Sequence, residues 1–343
     1  MGRSATVIVA GAGALGLSTA LALADAGCAV TLCDPASEAA NASGVAAGML
    51  APVFESVLDA EGPQSLALLL AARDVWPKLA QRAGVALDRS GAVAVGSQAW
   101  LATVRAGMTR LGLRGTEVGR TTLATLAPGL ADSFDMGVMT REDWRLDPRQ
   151  ALAALRRAAV EAGVAFRPDA VAGRGDVDWL VAATGAQRGL APELAVLAPI
   201  KGQILCFKDR CGGGMSLRGE SAYAVPGGQG LAAGATMQPG LTDTNVDPVA
   251  LQPLLEAASR LFPGLRGARF HASAGVRAAT PDGLPMVGVS SQPGVLVAAG
   301  ARRNGWLLAP LVAQTIAACV TGRDPGPYAV QFDPARFEPG RAP

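Results

Sequence analysis

Histidine is almost absent: the 343 residues hold one, His271. That excludes a His-rich zinc site. His271 falls on an expected strand with no Cys or carboxylate partner, so its expected role is structural. Cysteine is sparse and odd in number: Cys28, Cys33, Cys206, Cys211 and Cys319, with no CxxC pair among them. A disulfide framework or a metal site is therefore not expected, and free thiols in a reducing cytosol are. Charge is scarce and nearly balanced, 30 Lys+Arg against 28 Asp+Glu, for a net of +2. Without a basic block the chain does not read as a nucleic-acid binder.

Half of the residues are hydrophobic, so disorder is excluded for most of the chain. The length suits about two domains, and 43 Gly with 23 Pro suit a loop-rich α/β protein rather than a helical bundle. Ser4 to Ala24 is uncharged and ends in small residues, in the manner of a signal peptide. Gly11, Gly13 and Gly16 break it, however, and its periodicity changes midway from strand to helix. A second uncharged stretch, Asn304 to Gly322, contains Gly305, Pro310 and Gln314. Neither reads as a membrane span, and a cytoplasmic protein is expected.

Thr6-Val7-Ile8-Val9-Ala10 has the β-branched character of a buried parallel strand. Gly11-Ala12-Gly13-Ala14-Leu15-Gly16 follows, then a helix over Leu17–Ala26, then a strand over Ala29–Cys33 ending at Asp34. This order is a dinucleotide-binding fingerprint. Gly11 permits the tight turn, Gly13 lets backbone approach a pyrophosphate, and Gly16 lets the helix pack on the sheet. The helix N-terminus offers N–H groups to the anion. Asp34 accepts from ribose hydroxyls and disfavours a 2′-phosphate, hence NADP. The fingerprint alone does not separate NAD from FAD.

Three later segments extend the pattern. Asn41 to Pro52 is a run of small residues able to lie against a large flat ligand. Trp179 to Gly185 reads as a strand ending in Thr-Gly. Gly294 to Gly300 reads as another, leading through Ala301-Arg302-Arg303-Asn304-Gly305 into a helix over Trp306–Val320. Gly322 is its expected C-cap, and Pro310 is expected within about its first turn. A helix over Pro148–Ala162 is expected, N-capped by Asp147.

In order, VIVAGAGALGLSTALALADAG, ASGVAAGMLAP, Arg145-Leu146-Asp147-Pro148, Val181 to Gly185, Ile200-Lys201-Gly202-Gln203, YAVPGGQGLAAGATMQPG, GVRAATPDGLPMVG and GARRNGWLLAP span nearly the whole chain. Together they resemble the FAD-dependent amino-acid oxidases of the D-amino-acid oxidase type, most closely the glycine oxidase of thiamine biosynthesis. The resemblance implies an α/β fold, a Rossmann-like FAD-binding domain interleaved with an antiparallel-sheet α+β substrate domain. The FAD domain would take 1–50, 141–200 and 275–343, and the substrate domain 51–140 and 201–274.

It also implies roles. The FAD pyrophosphate would lie at Ala14 and Leu15 and the ribose on Asp34 and Pro35. Ala42, Ser43, Ala47, Gly48 and Met49 would line the ribityl chain and flavin, with Gly185 near the cofactor and the Val171 backbone at the adenine. Arg302, Arg303, Asn304, Gly305, Trp306 and Leu307 would wrap the pyrimidine end, where a helix N-terminus stabilises reduced flavin. Arg277 would take the substrate carboxylate, with Arg303 as second arginine and Arg302 able to exchange with it. The Tyr223 hydroxyl would support the carboxylate, and Met237, on the neighbouring strand, would face the flavin. No Cys precedes Thr280-Pro281-Asp282, so FAD is expected to be non-covalent.

The reaction implied is hydride transfer from Cα to flavin N5, then imine hydrolysis to a 2-oxo acid, with O2 taking the electrons to give peroxide. Four positions depart from the family pattern: Gln187, Ser273, Ala301-Arg302, and Ser221. Three of them replace a ring by something smaller, so a cavity wider than glycine needs is expected. A dehydrogenase using another acceptor and a catalytically silent FAD-binding subunit stay open, as does homo-oligomer formation.

Overall fold

The computed structural model describes residues 4–58, 65–209 and 214–337; Arg3 and Cys211 lie outside them. Two large sheets organise the chain. The first has six strands in the order Met286–Val289, Val295–Ala299, Trp179–Ala182, Thr6–Ala10, Ala29–Cys33, Ala165–Arg167. All neighbours are parallel except the Met286–Val289 edge. Thr6–Ala10 lies inside it, with neighbours drawn from distant parts of the chain on one side and from the next strand on the other. That reversal of direction opens a crevice beyond the strands' carboxyl ends.

The first helix is Ala14–Asp25, three residues earlier than its side-chain pattern suggested. It is capped by the Gly13 backbone without any side-chain bond, which leaves the sequence without a start signal. Ser4 to Ala24 thus builds the central strand and a packed helix, and among the described residues no helix is long and apolar enough to cross a membrane. Asp147 caps Pro148–Glu161 through the Gln150 N–H, and Gly322 caps Gly305–Thr321 in the left-handed conformation.

Pro310 is the sixth residue of that last helix, beyond the expected first turn. Its missing N–H leaves the Trp306 carbonyl without a helical partner. The Trp76 indole takes the place, donating to that carbonyl at 3.0 Å. Trp76 sits on Leu66–Ala83, a helix expected with the substrate unit. Leu68, Leu69, Ala72 and Trp76 pack instead in the first core, with Val9, Leu17 and Leu308.

The second sheet has nine strands, among them Ala198–Phe207, Ser216–Arg218, Tyr223–Gly227, Gly230–Gly234 and His271–Ala279. It is antiparallel with one exception, Ser216–Arg218 running parallel to Ala92–Val95. Ala198–Phe207 and His271–Ala279 pair over their length and run through the expected boundaries at 200 and 274. His271 is exposed.

Candidate active site

Backbone crowding explains the glycines of the first turn. Gly11 has φ +105°, and a Cβ there would lie 2.4 Å from the Ala183 oxygen. A Cβ on Gly16 would stand 1.8 Å from the Gly11 oxygen. Asp34, at the end of its strand, closes the turn: its two oxygens accept from Ala12 N–H at 2.6 Å and Ala36 N–H at 2.8 Å. Ser43 Oγ accepts from Ala14 N–H at 3.0 Å, one of the free donors of the helix N-terminus.

A cavity of about 520 Å³ opens beside Asp34, bounded by Ala12, Asn41, Arg149, Phe166 and Pro168. The Arg156 guanidinium lies 4.1 Å from the Phe166 ring centre. Flat and polar surfaces of this kind suit a nucleoside. Phe166, Arg167 and Pro168, all at this wall, escaped the sequence reading. Val171 does not border the cavity; it packs partly buried with Ile8, Leu180 and Val295. Pro35 is exposed beyond Asp34, Leu15 packs on the first core, and Gly185 turns the chain with φ +63°.

A second cavity, of about 250 Å³, lies where the two sheets meet. It gathers Ala42, Ala47, Gly48 and Met49 from the small-residue run, and Tyr223, Met237 and Arg277 from the second sheet and its links. Arg303, Asn304 and Trp306 come from the start of the last helix. Arg302 does not line it, and Leu307 is buried in the first core. Gly305 is the first residue of the helix. Met237 lies in the link between Gly230–Gly234 and Gln238–Pro239, rather than on a strand as expected. Of the four departures only Ser221 borders the cavity.

Arg277 lies flat across its neighbouring strand, because a Cβ on Gly202 would stand 2.3 Å from its Nη1. Its Nη1 donates to Met237 Sδ at 3.3 Å, and no carboxylate pairs with it among the described residues. Burial lowers its affinity for a proton, with the Arg303 charge adding to that. Burial likewise raises the Tyr223 hydroxyl, against the Arg277 and Arg218 charges.

Two acidic residues at or beneath this cavity lie beyond the sequence reading. Glu55, on Pro52–Leu58, is buried between Arg218 and Arg303. Burial works to raise its carboxyl, and the two arginine charges outweigh that and hold it below the usual range. A lone glutamate within Pro-Val-Phe-Glu-Ser-Val-Leu was the available signal. Beneath it Asp143 caps the same helix, accepting from Val53 N–H at 2.7 Å and Phe54 N–H at 3.1 Å.

Burial pushes the Asp143 carboxyl up to about 7, against those bonds and the Arg218 charge. Its folded-state value lies above the unfolded one, so its contribution to stability is full below the ordinary carboxylate range and is lost as pH rises through about 7. Asp143→Asn should flatten the dependence of Tm on pH between about 4 and 7. Parallel profiles for the two proteins would mean that Asp143 stays ionised throughout.

A cavity beside the glycine turn and an arginine-lined cavity where the two sheets meet give the layout of an oxidoreductase. The chain belongs to the FAD dependent oxidoreductase family, whose model matches residues 6–319. It is 34% identical, over 91% of its length and 95% of the relative's, to a Rhizobium etli protein named as a thiamine biosynthesis oxidoreductase, ThiO. It is 31% identical to a glycine oxidase of Pseudomonas aeruginosa, over 95% and 98% of the two chains. Its fold matches the crystal structure of glycine oxidase from Geobacillus kaustophilus with a TM-score of 0.85, at 24% identity, covering 98% of this chain and 100% of that one.

The residues present fit FAD. The turn admits no side chain at Gly11 or Gly16, Asp34 stands at a nucleoside-sized cavity, and the small-residue run leads from there to the second cavity.

Proposed function

We propose that the chain oxidises glycine and other small amino acids, including D-amino acids and N-substituted glycines. The balanced reaction is amino acid, O2 and water to 2-oxo acid, ammonia or amine, and hydrogen peroxide. The observation that carries this reading is Arg277, a largely buried guanidinium on the cavity wall without a carboxylate partner among the described residues. A cation so placed favours an anionic ligand, and its fork matches a carboxylate in two bonds.

Bound FAD supplies the acceptor for the Cα hydrogen and its electron pair. The chain's own residues bind and orient. Arg277 fixes the carboxylate, the Tyr223 hydroxyl supports it, and Met237 closes the side of the guanidinium. Arg303, Asn304 and Trp306, at a helix N-terminus, place positive potential at one side of the cavity. We assign the nucleotide to the unit containing 1–50, 141–200 and 275–343, and the substrate to the sheet formed mainly from 51–140 and 201–274. The name of the Rhizobium etli relative supports a place in thiamine biosynthesis, and within it we place the chain at thiazole formation. Among the described residues Cys28, Cys33 and Cys319 are free thiols, which accords with a cytoplasmic location.

The test is an anaerobic absorbance scan of purified protein against glycine, sarcosine, D-alanine and D-proline, followed by air. Bleaching by one of these and recolouring in air is the expected result. Bleaching that persists in air would replace O2 by another acceptor, and a yellow protein that no amine bleaches would overturn the reading. Strong preference for glycine over sarcosine and D-proline would refute the wider cavity.

A further inference from the structure

Three arginines, Arg218, Arg277 and Arg303, line the cavity beside one buried carboxylate, Glu55. Glu55 is shared: Oε1 accepts from Arg218 Nη2 at 2.5 Å, and Oε2 lies 2.8 Å from Arg303 Nη2. The Glu55 and Arg218 side chains are only 11% and 10% exposed, so solvent screens these charges little. Arg277 has the Met237 thioether as its partner. The rim carries a second acid, Glu220, which accepts from Ser97 N–H at 2.6 Å.

The arrangement divides the arginines by charge. On one side Arg218 and Arg303 meet a carboxylate that belongs to the chain; on the other Arg277 awaits one from outside. A second carboxylate on the ligand would compete with Glu55 for guanidiniums already engaged, and both Glu55 and Glu220 would repel it. We propose that Glu55 is a specificity-determining positioning residue: by neutralising the Arg218–Arg303 side it leaves Arg277 as the anion anchor and restricts the site to amino acids with one carboxylate. This rests on the reading of the cavity as an amino-acid site.

Sarcosine and iminodiacetate test it as a matched pair, since both are N-substituted glycines and only the second carries another carboxylate. The FAD-loaded wild-type enzyme should favour sarcosine. Glu55→Gln should shift the ratio of kcat/KM towards iminodiacetate by roughly tenfold or more, through KM, and Glu55→Asp should restore the wild-type ratio. Glu55→Gln leaves the buried Arg218 and the more open Arg303 without their shared partner and can fail to fold. The double variant Arg218→Met, Glu55→Gln removes one charge of each sign, releases Arg303 and carries the same expectation.

Titration of the flavin spectrum of each holoenzyme with acetate and with succinate gives a readout free of turnover, and the ratio of Kd values should move the same way. Equal losses for both members of each pair would overturn the proposal, leaving Glu55 a purely structural group. So would a wild-type enzyme that takes iminodiacetate as readily as sarcosine. If no amine bleaches the flavin in any variant while Glu55 still separates the two anions, the oxidase reading fails and the Glu55 assignment stands.

Discussion

Replacing Arg277 with leucine should lower kcat/KM for glycine or sarcosine by roughly two to three orders of magnitude, while the protein stays yellow and folds at least as well as wild type. The two halves of that expectation share one cause. Arg277 is a charge held largely out of water with a thioether and no carboxylate beside it. Tyr223 and Glu55 offset its desolvation only in part until a ligand carboxylate arrives. Losing one partner of a desolvated charge pair costs about 2 to 5 kcal/mol of binding. Removing an unpaired charge from the ligand-free protein costs the fold little. Steady-state kinetics and thermal melts of the same preparation check both halves. A variant within a few-fold of wild type in kcat/KM would place the carboxylate anchor elsewhere. A large fall in Tm would mean that Arg277 is compensated within the fold.

Gly16→Ala should give a colourless protein. The added Cβ would stand 1.8 Å from the Gly11 carbonyl oxygen, a backbone atom that cannot turn aside as a side chain can. The helix or the turn must move, and overpacking of this kind costs about 1 to 3 kcal/mol. The displacement falls on the turn that presents N–H groups to the pyrophosphate. An FAD affinity reduced roughly a hundredfold, at a cost of about 2.7 kcal/mol, is the expected result. Gly173→Ala is the matched control, because nothing lies within 4 Å of a Cβ there. Retention of FAD by Gly16→Ala with wild-type affinity would show that the turn absorbs a methyl without cost to the cofactor.

The residues most legible in the sequence are those whose reasons are local. Gly16 and Asp34 meet partners within one strand–turn–helix–strand unit, and Asp147 and Gly322 cap helices through bonds to nearby residues. Arg277, Tyr223, Met237 and Arg303 were named from resemblance, and they border one cavity. Glu55 and Arg218 were missed because their reason lies 163 positions apart along the chain. No periodicity or spacing signals such a meeting of two elements. The cavity wall at Phe166–Pro168 was missed for a related cause. Ala165–Arg167 is a short strand of three residues, recognisable once it pairs with Ala29–Cys33. The resemblance implies a strand at Met237, but the strand stops at Gly234.

The bond from Trp76 to the Trp306 carbonyl joins residues 230 positions apart, and Trp306 in turn donates from its own indole to the Ser43 oxygen at 3.0 Å. The first sheet has the same long reach, since Val295–Ala299 lies beside Trp179–Ala182, which lies beside Thr6–Ala10. During synthesis, then, the nucleotide turn leaves the ribosome with half a core whose remaining wall follows some 230 positions later. Domains that fold in order of synthesis close their N-terminal part first. Here that order is blocked: the nascent chain must hold Trp76, Leu68 and Leu69 uncovered until the helix Gly305–Thr321 emerges. The demand on chaperones, and the hazard of a stalled or truncated chain, fall on the half that binds the cofactor.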